Sequence, residues 1–217
     1  MSGRAQVIAV PPASVEQASA VCAQAVARGE LIVIPTDTVY GLAADPFDEG
    51  AVLRLYEAKG RPRDMAIPVL ASDEGAARLT ARELPPKARE LFERFWPGPL
   101  TVVVPCVDEL PDALTGGGHT VGLRVPASEL ARAIISACGG LLATTSANYS
   151  TEAPACEVPE LAPGLIERVS VVVDGGRCRA GMASTVVDLT TTPARILRQG
   201  PVAAADLRQV MPDVAEK

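Results

Sequence analysis

The chain has 217 residues, with 20 Lys+Arg against 26 Asp+Glu and a formal net charge of −6. That length predicts one large domain or at most two small ones, and 48% hydrophobic with 21% charged residues is ordinary globular usage that excludes disorder. The acidic balance excludes a protein built to coat nucleic acid, though not a local basic cleft, and 3% aromatic residues predict an aliphatic core.

In chain order, the N-terminal segment carries one Arg and an apolar run cut short by Pro11 and Pro12, which is neither a secretory signal nor an anchor. No stretch approaches the roughly 18 apolar residues of a membrane span, so a cytoplasmic protein with no membrane partner is expected. Ser14 with Gln17 forms a capping-box pattern, and Val15, Ala18, Val21, Cys22, Ala25 and Val26 recur at helical spacing until Gly29 ends the helix. Leu31–Pro35 is a short continuous apolar run, the mark of a strand buried on both faces. A helix is predicted from Glu49 to Ala58 with Val52, Leu53, Leu55 and Tyr56 inward, then a strand at Ala66–Leu70, then a helix from Pro85 to Trp96. Further strands are predicted at Leu100–Val104, Thr120–Val125, Leu141–Thr145, Val169–Asp174, Ser184–Leu189 and Ala194–Leu197, with helices at Glu129–Cys138 and Ala203–Met211. Residues Thr151–Pro163 read as a long loop with one helical turn. The alternation describes an α/β chain with a substantial mixed sheet and no repeat or linker, hence one domain over residues 1–217.

Several chemistries are closed to this sequence. The five cysteines form no C-x-x-C pair, and an odd, scattered set fits free thiols in a reducing compartment. A single histidine, His119, excludes a zinc site built on several His ligands, and the G-x-S-x-G elbow of a Ser-His-Asp hydrolase is missing. No Gly-Lys dipeptide occurs and the glycine run at Gly116 lacks the later glycine of G-x-G-x-x-G, which removes both the Walker A loop and the nicotinamide or flavin fingerprint.

Five segments concentrate polar chemistry. Thr36-Asp37-Thr38 follows the first buried strand and places two hydroxyls and a carboxylate at the sheet's carboxyl edge, or else forms an ST turn capping a helix. Lys59-Gly60-Arg61-Pro62-Arg63 gathers three cations at a helix end, where they also complement the dipole. Lys59 is one of only three lysines among 20 basic residues, so a compact point charge between arginines points toward phosphate. Thr144–Ser150 is dense in hydroxyls, and Ser184-Thr185 opens a strand after the loop Gly175–Gly181. Arg124 lies within a strand, where an inward charge needs an anionic partner; Arg198 ends another.

Together the series PTDTVYGL, KGRPR, WPGPLT, VGLRVP, TTSANYS, DGG with STVVD, and ILRQG, spanning Leu31 to Gly200, resembles the YrdC-like threonylcarbamoyl-AMP synthases. The resemblance implies a single α/β domain whose twisted mixed sheet, flanked by helices, lines an open basic cleft. It implies condensation of L-threonine, bicarbonate and ATP to L-threonylcarbamoyladenylate and pyrophosphate, with Mg2+ carried on ATP. The product would pass to a downstream threonylcarbamoyl transferase complex that modifies tRNAs reading ANN codons, which leaves room for a weak tRNA contact. By matching positions, Thr36, Arg124, Thr144 and Ser184 would hold threonine. Lys59 and Arg63 would contact ATP phosphates, with Lys59 and Arg61 stabilising the charge that develops there. Thr120, Ser146, Asn148, Pro154 and Arg198 would frame the nucleotide.

The sequence departs from the pattern at Met65-Ala66-Ile67 and at Thr151, and the resemblance is to a short form without the extra C-terminal domain of longer relatives. The rival readings are a double-stranded RNA or tRNA-binding module without catalysis, a carbamoyl-adenylate-forming domain that ignores threonine, and a degenerate regulatory relative.

Overall fold

The computed structural model describes residues 5–150 and 152–216. Its strands are β1 Gln6–Ala9, β2 Ile32–Ile34, β3 Gly41–Ala44, β4 Val69–Ala71, β5 Leu100–Pro105, β6 Thr120–Arg124, β7 Leu141–Ser146, β8 Val171–Asp174, β9 Thr185–Asp188, β10 Arg195–Arg198 and β11 Ala215–Glu216. Its helices are α1 Val15–Ala27, α2 Glu49–Lys59, α3 Glu74–Arg78, α4 Ala88–Phe95, α5 Asp112–Thr115, α6 Glu129–Ala137, α7 Pro163–Ile166 and α8 Ala204–Arg208. All the strands join one mixed sheet in the order β1-β8-β2-β3-β7-β4-β6-β5-β9-β10-β11.

Local chemistry sets the helix ends. The Ser14–Gln17 capping box forms as the sequence predicts, Asp48 caps α2, and Gly60 ends α2 in the left-handed conformation. Two apolar layers sandwich the sheet. On one face α1 and α6 press Ala18, Cys22, Ile134 and Ile135 onto Ile32, Ile34, Leu142 and Val173. On the other, Val52, Leu55 and Tyr56 of α2 and Leu91 and Phe92 of α4 pack on Val69, Val102, Leu123 and Val187.

The α1–α6 layer covers only part of its face. Strand pairing puts Gly41, Thr144, Ser146, Leu70, Arg124, Gly122 and Thr101 on this same side by simple alternation. Toward β6, β5 and β9 the face is left half-exposed at Val103, Thr120, Gly122 and Val186. The site therefore lies where a helix-covered half of the sheet gives way to an uncovered half.

Several sequence expectations are displaced. The strand expected at Ala66–Leu70 begins at Val69, because Asp64–Ala66 are exposed loop and only Ile67 turns inward. The helix expected from Pro85 starts at Ala88, and the one expected to reach Met211 ends at Arg208. Leu53 is half-buried rather than inward. Strands β1, β3 and β11 and helices α3 and α5 carried no recognised signal. In β3 the sequence Gly-Leu-Ala-Ala has neither β-branched residues nor alternation, and hydrogen bonding to β2 and β7 alone makes it a strand. The departure at Thr151 lies outside the described residues.

Candidate active site

A pocket of about 120 Å³ opens on the sheet face where the α1–α6 layer ends. Its wall is assembled from the β2–β3 turn (Thr36, Thr38, Val39), the segment after α2 (Arg61, Pro68), Thr101 of β5, Arg124 of β6, Thr144 to Ser146 of β7, Ala183 and Ser184 before β9, and Arg198 of β10. Three arginines face it, and no carboxylate is among the described residues that line it.

The β2–β3 turn is an ST turn, as the residue types predict, but it leads into a strand rather than a helix. Thr36 Oγ1 accepts from the N–H groups of Thr38 and Val39 at 3.1 and 3.2 Å. Directly after it, Gly41 lets β3 approach β7 closely: a Cβ there would stand 2.6 Å from Thr144 Cγ2, and the threonine side chain would have to shift. Tyr40 ties the turn to the Asp174-Gly175-Gly176 segment, donating to Gly176 O at 2.7 Å.

Arg124 is 5% exposed. Its Nη2 donates to Asp37 Oδ1 at 2.6 Å, Nη1 to Thr38 Oγ1 at 2.9 Å and Nε to Gly98 O at 2.9 Å. The anionic partner demanded by a charge within a strand is thus Asp37, a residue of the turn motif to which sequence reading gave no site role. Gly98 must be glycine, since a Cβ would lie 2.2 Å from Phe95 O, and its carbonyl is presented by the Trp-Pro-Gly-Pro turn. Burial pushes the Arg124 pKa down, and Asp37 opposes that shift.

Ser184 Oγ meets Thr101 Oγ1 at 2.8 Å and accepts from Arg198 Nη2 at 3.1 Å, while Arg198 Nε donates to Ser184 O. Thr101 is a further wall residue that sequence reading missed; its side of β5 follows only from strand register. Arg61 is fixed by Met65 O and Ala66 O at 3.2 and 3.1 Å. Burial lowers the pKa of both Arg61 and Arg198, and the positive charge of Arg61 lowers that of Arg198 further, so the two cations share one field.

Lys59, which the resemblance assigns to the ATP phosphates, is buried. It is 3% exposed and stands behind the wall. Its ammonium donates to Ser146 O, to Asn148 O at 2.6 Å and to Asn148 Oδ1 at 3.2 Å. Burial, then the charge of Arg61, lowers its pKa to about 8. Asn148 completes the knot by donating to Tyr149 O and Glu152 O. Arg63 is exposed beside Glu57 at 3.8 Å, and Pro154 is half-buried away from the wall. Thr120 shares the open face with Arg124, four residues or about 13 Å along β6. The structure thus brings Thr36, Arg61, Arg124, Thr144, Ser146, Ser184 and Arg198 onto one wall, and leaves Lys59, Arg63, Thr120, Asn148 and Pro154 off it.

Among the described residues no group of three His, Cys, Asp or Glu is placed to hold a metal ion, and no helix is long and apolar enough to cross a membrane. The described cysteines are unpaired, and burial raises the Cys178 thiol to about 11.

Comparison with known proteins gives a consistent answer. The family model Sua5_yciO_yrdC, described as Telomere recombination, matches residues 24–200. The chain is 38% identical over 187 residues to the threonylcarbamoyl-AMP synthase of Pyrococcus abyssi, covering 86% of this chain and 55% of that protein. To the threonylcarbamoyl-AMP synthase of Thiobacillus denitrificans it is 37% identical over 171 residues, covering 79% of this chain and 89% of that protein. Its fold is similar to the crystal structure of P. abyssi Sua5 complexed with L-threonine, at TM-score 0.93 and 36% identity, covering 97% of this chain and 62% of that one. The chain therefore spans little more than half the length of the P. abyssi relative.

Proposed function

This chain belongs to the Sua5–YciO–YrdC family, and on that premise we propose that it is an L-threonylcarbamoyladenylate synthase acting as a single domain over residues 1–217 in the cytoplasm. The observation that carries the reading is the charge of the pocket: Arg61, Arg124 and Arg198 converge on one wall of a protein whose net charge is −6. Such a wall suits two anionic substrates held side by side, an amino-acid carboxylate and a nucleotide triphosphate.

In the proposed reaction the threonine amine and bicarbonate condense to a carbamate with loss of water. A carbamate oxygen then attacks the α-phosphorus of ATP, the α–β phosphoanhydride bond breaks, and pyrophosphate leaves. The carbamate is a weak nucleophile, so holding it beside the phosphorus supplies much of the acceleration. It is already anionic, which removes the need for a strong general base.

The residues divide that labour. A guanidinium carries five N–H groups, and Arg124 spends three on Asp37, Thr38 and Gly98. The remaining two, one on each terminal nitrogen, form a fork for the threonine carboxylate. Thr36, Thr144 and Ser184 complete that end of the pocket. Arg61 and Arg198 meet the phosphates and offset the charge that develops as pyrophosphate departs. Ser146 contacts the nucleotide, and Lys59 with Asn148 holds Ser146 in place. The wall offers hydroxyls but no carboxylate, so Mg2+ enters on the ATP phosphates as part of the substrate. Thr120 lies on the open face along which the nucleotide would extend, and Arg63 and Pro154 would meet the parts of it that reach beyond the wall. The product passes to a transferase complex for tRNA modification.

Pyrophosphate release from ATP tests the proposal. With bicarbonate present, release should require L-threonine and fall clearly with serine or valine. Release with carbamoyl phosphate and no threonine would instead make the chain a carbamoyl-adenylate former, and no release from folded protein would leave a binding module.

A further inference from the structure

Asp37 is not among the residues that line the pocket; it borders a second cavity with Ser128 and Arg179. Its Oδ1 accepts from Arg124 Nη2 at 2.6 Å and from the Ala127 N–H at 3.1 Å. The two side chains are nearly buried, 6% exposed for Arg124 and 11% for Asp37. The carboxylate therefore joins three elements: the β2–β3 turn that carries it, the end of β6, and the loop that enters α6.

A buried guanidinium can turn about its long side chain unless each nitrogen is held. Arg124 is held at all three: Nε by Gly98 O, Nη1 by Thr38 Oγ1, and Nη2 by Asp37. Gly98 and Thr38 are neutral, so Asp37 supplies the only charged contact in the set. The Ala127 N–H anchors the carboxylate, which keeps it from swinging into the pocket to compete with a second carboxylate for the same fork.

We propose that Asp37 is the positioning residue for amino-acid recognition, fixing the Arg124 guanidinium so that its two unengaged N–H groups meet the carboxylate of the substrate. This inference rests on the synthase reading and extends it by one residue, which touches no substrate and acts through Arg124. It also accounts for the placement of the acid in the turn motif. Asp37 is the residue between the two threonines, and Thr36 and Thr38 line the pocket while Asp37 lines the neighbouring cavity.

Asp37→Asn tests it, because the amide keeps the shape and an oxygen acceptor while losing the charge. Charge-assisted hydrogen bonds are roughly twice as strong as neutral ones, so the threonine KM should rise about tenfold, with kcat and the ATP KM changed by less than about twofold. In an Arg124→Gln background the same substitution should produce no further rise in threonine KM, since nothing remains to be positioned. A purely structural role moves both substrates together and persists in that background; either result overturns the inference.

If the asparagine variant does not fold, Asp37→Ser, which removes the charge and keeps an oxygen acceptor, is read the same way: a raised threonine KM with kcat held supports positioning, and an unchanged one overturns it. A wild-type protein that requires threonine while Asp37→Asn retains the wild-type threonine KM overturns this assignment alone. A wild-type protein whose pyrophosphate release ignores threonine overturns both it and the synthase reading.

Discussion

Exchanging Lys59 for Met keeps the aliphatic stem and removes the ammonium from the junction between α2 and the Ser146–Asn148 segment. Four acceptors share its three N–H donors and lose them: Ser146 O and Oγ, and Asn148 O and Oδ1. At about 1.5–3 kcal/mol for each hydrogen bond to a charged group, the gross loss is on the order of 5 kcal/mol. Removing the charge also relieves its burial. The fall of the Lys59 pKa from 10.5 to about 8 corresponds to roughly 3 kcal/mol against the charged form. The net destabilisation should therefore be about 2 kcal/mol, read as a lower urea midpoint at pH 7 with an unchanged m-value. The folded pKa lies below the unfolded one, so between pH 8 and pH 10.5 the unfolded chain holds the extra proton and stability rises with pH. Measured relative to Lys59→Met, wild-type stability should be flat below pH 8 and increase across that window. A variant as stable as wild type at pH 7, or a relative stability that falls between pH 8 and pH 10.5, refutes the account of Lys59 as a buried knot.

The same Lys59 change should slow adenylate formation on the order of a hundredfold through displacement of Ser146 and Asn148, measured as initial pyrophosphate release; a folded variant with the normal rate removes Lys59 from the site. Arg124→Ala should raise the threonine KM far more than the ATP KM, and the reverse pattern would exchange the two ends of the pocket. Arg61→Ala should raise the ATP KM about tenfold or more while sparing threonine binding measured without nucleotide; Arg198→Ala should raise the ATP KM likewise and also weaken threonine binding modestly by freeing Ser184, and titration calorimetry separates these effects. Gly41→Ala places a methyl 2.6 Å from Thr144 Cγ2; it should cost about 1–3 kcal/mol in stability and weaken threonine binding, so an unperturbed variant means that β3 and β7 are less closely opposed than described.

Much of the site was legible because its residues are exceptions to ordinary patterning. Arg124 interrupts an apolar strand, so a buried charge with an anionic partner follows from the sequence, but the identity of the partner does not. Asp37 lies 87 positions away, on a turn two strands removed from β6 in the sheet, and only the folded chain brings the two side chains together. Lys59, a lysine among arginines, reads from the sequence as a phosphate point charge. The same chemistry, three donors on a compact head, also gathers carbonyls, and the local sequence carries no sign of those contacts. The capping box of α1 and the glycine just past its end are local signals and appear where the sequence puts them. Strand β3 is the opposite case. Its small apolar residues satisfy no periodicity, yet it carries Gly41 into the wall because strands on both sides claim its hydrogen bonds. The openness of the cleft was likewise invisible locally, since it depends on where the α1–α6 layer stops.

The central claim is that one wall holds an amino acid and a nucleotide for carbamate transfer to the α-phosphorus. Mass spectrometry of the nucleotide product, formed from isotopically labelled bicarbonate with ATP and L-threonine, tests it most directly. The account predicts threonylcarbamoyl-AMP carrying the label, formed in step with pyrophosphate and absent when threonine is omitted. A nucleotide product without the label, or a labelled adenylate formed equally well without threonine, contradicts it.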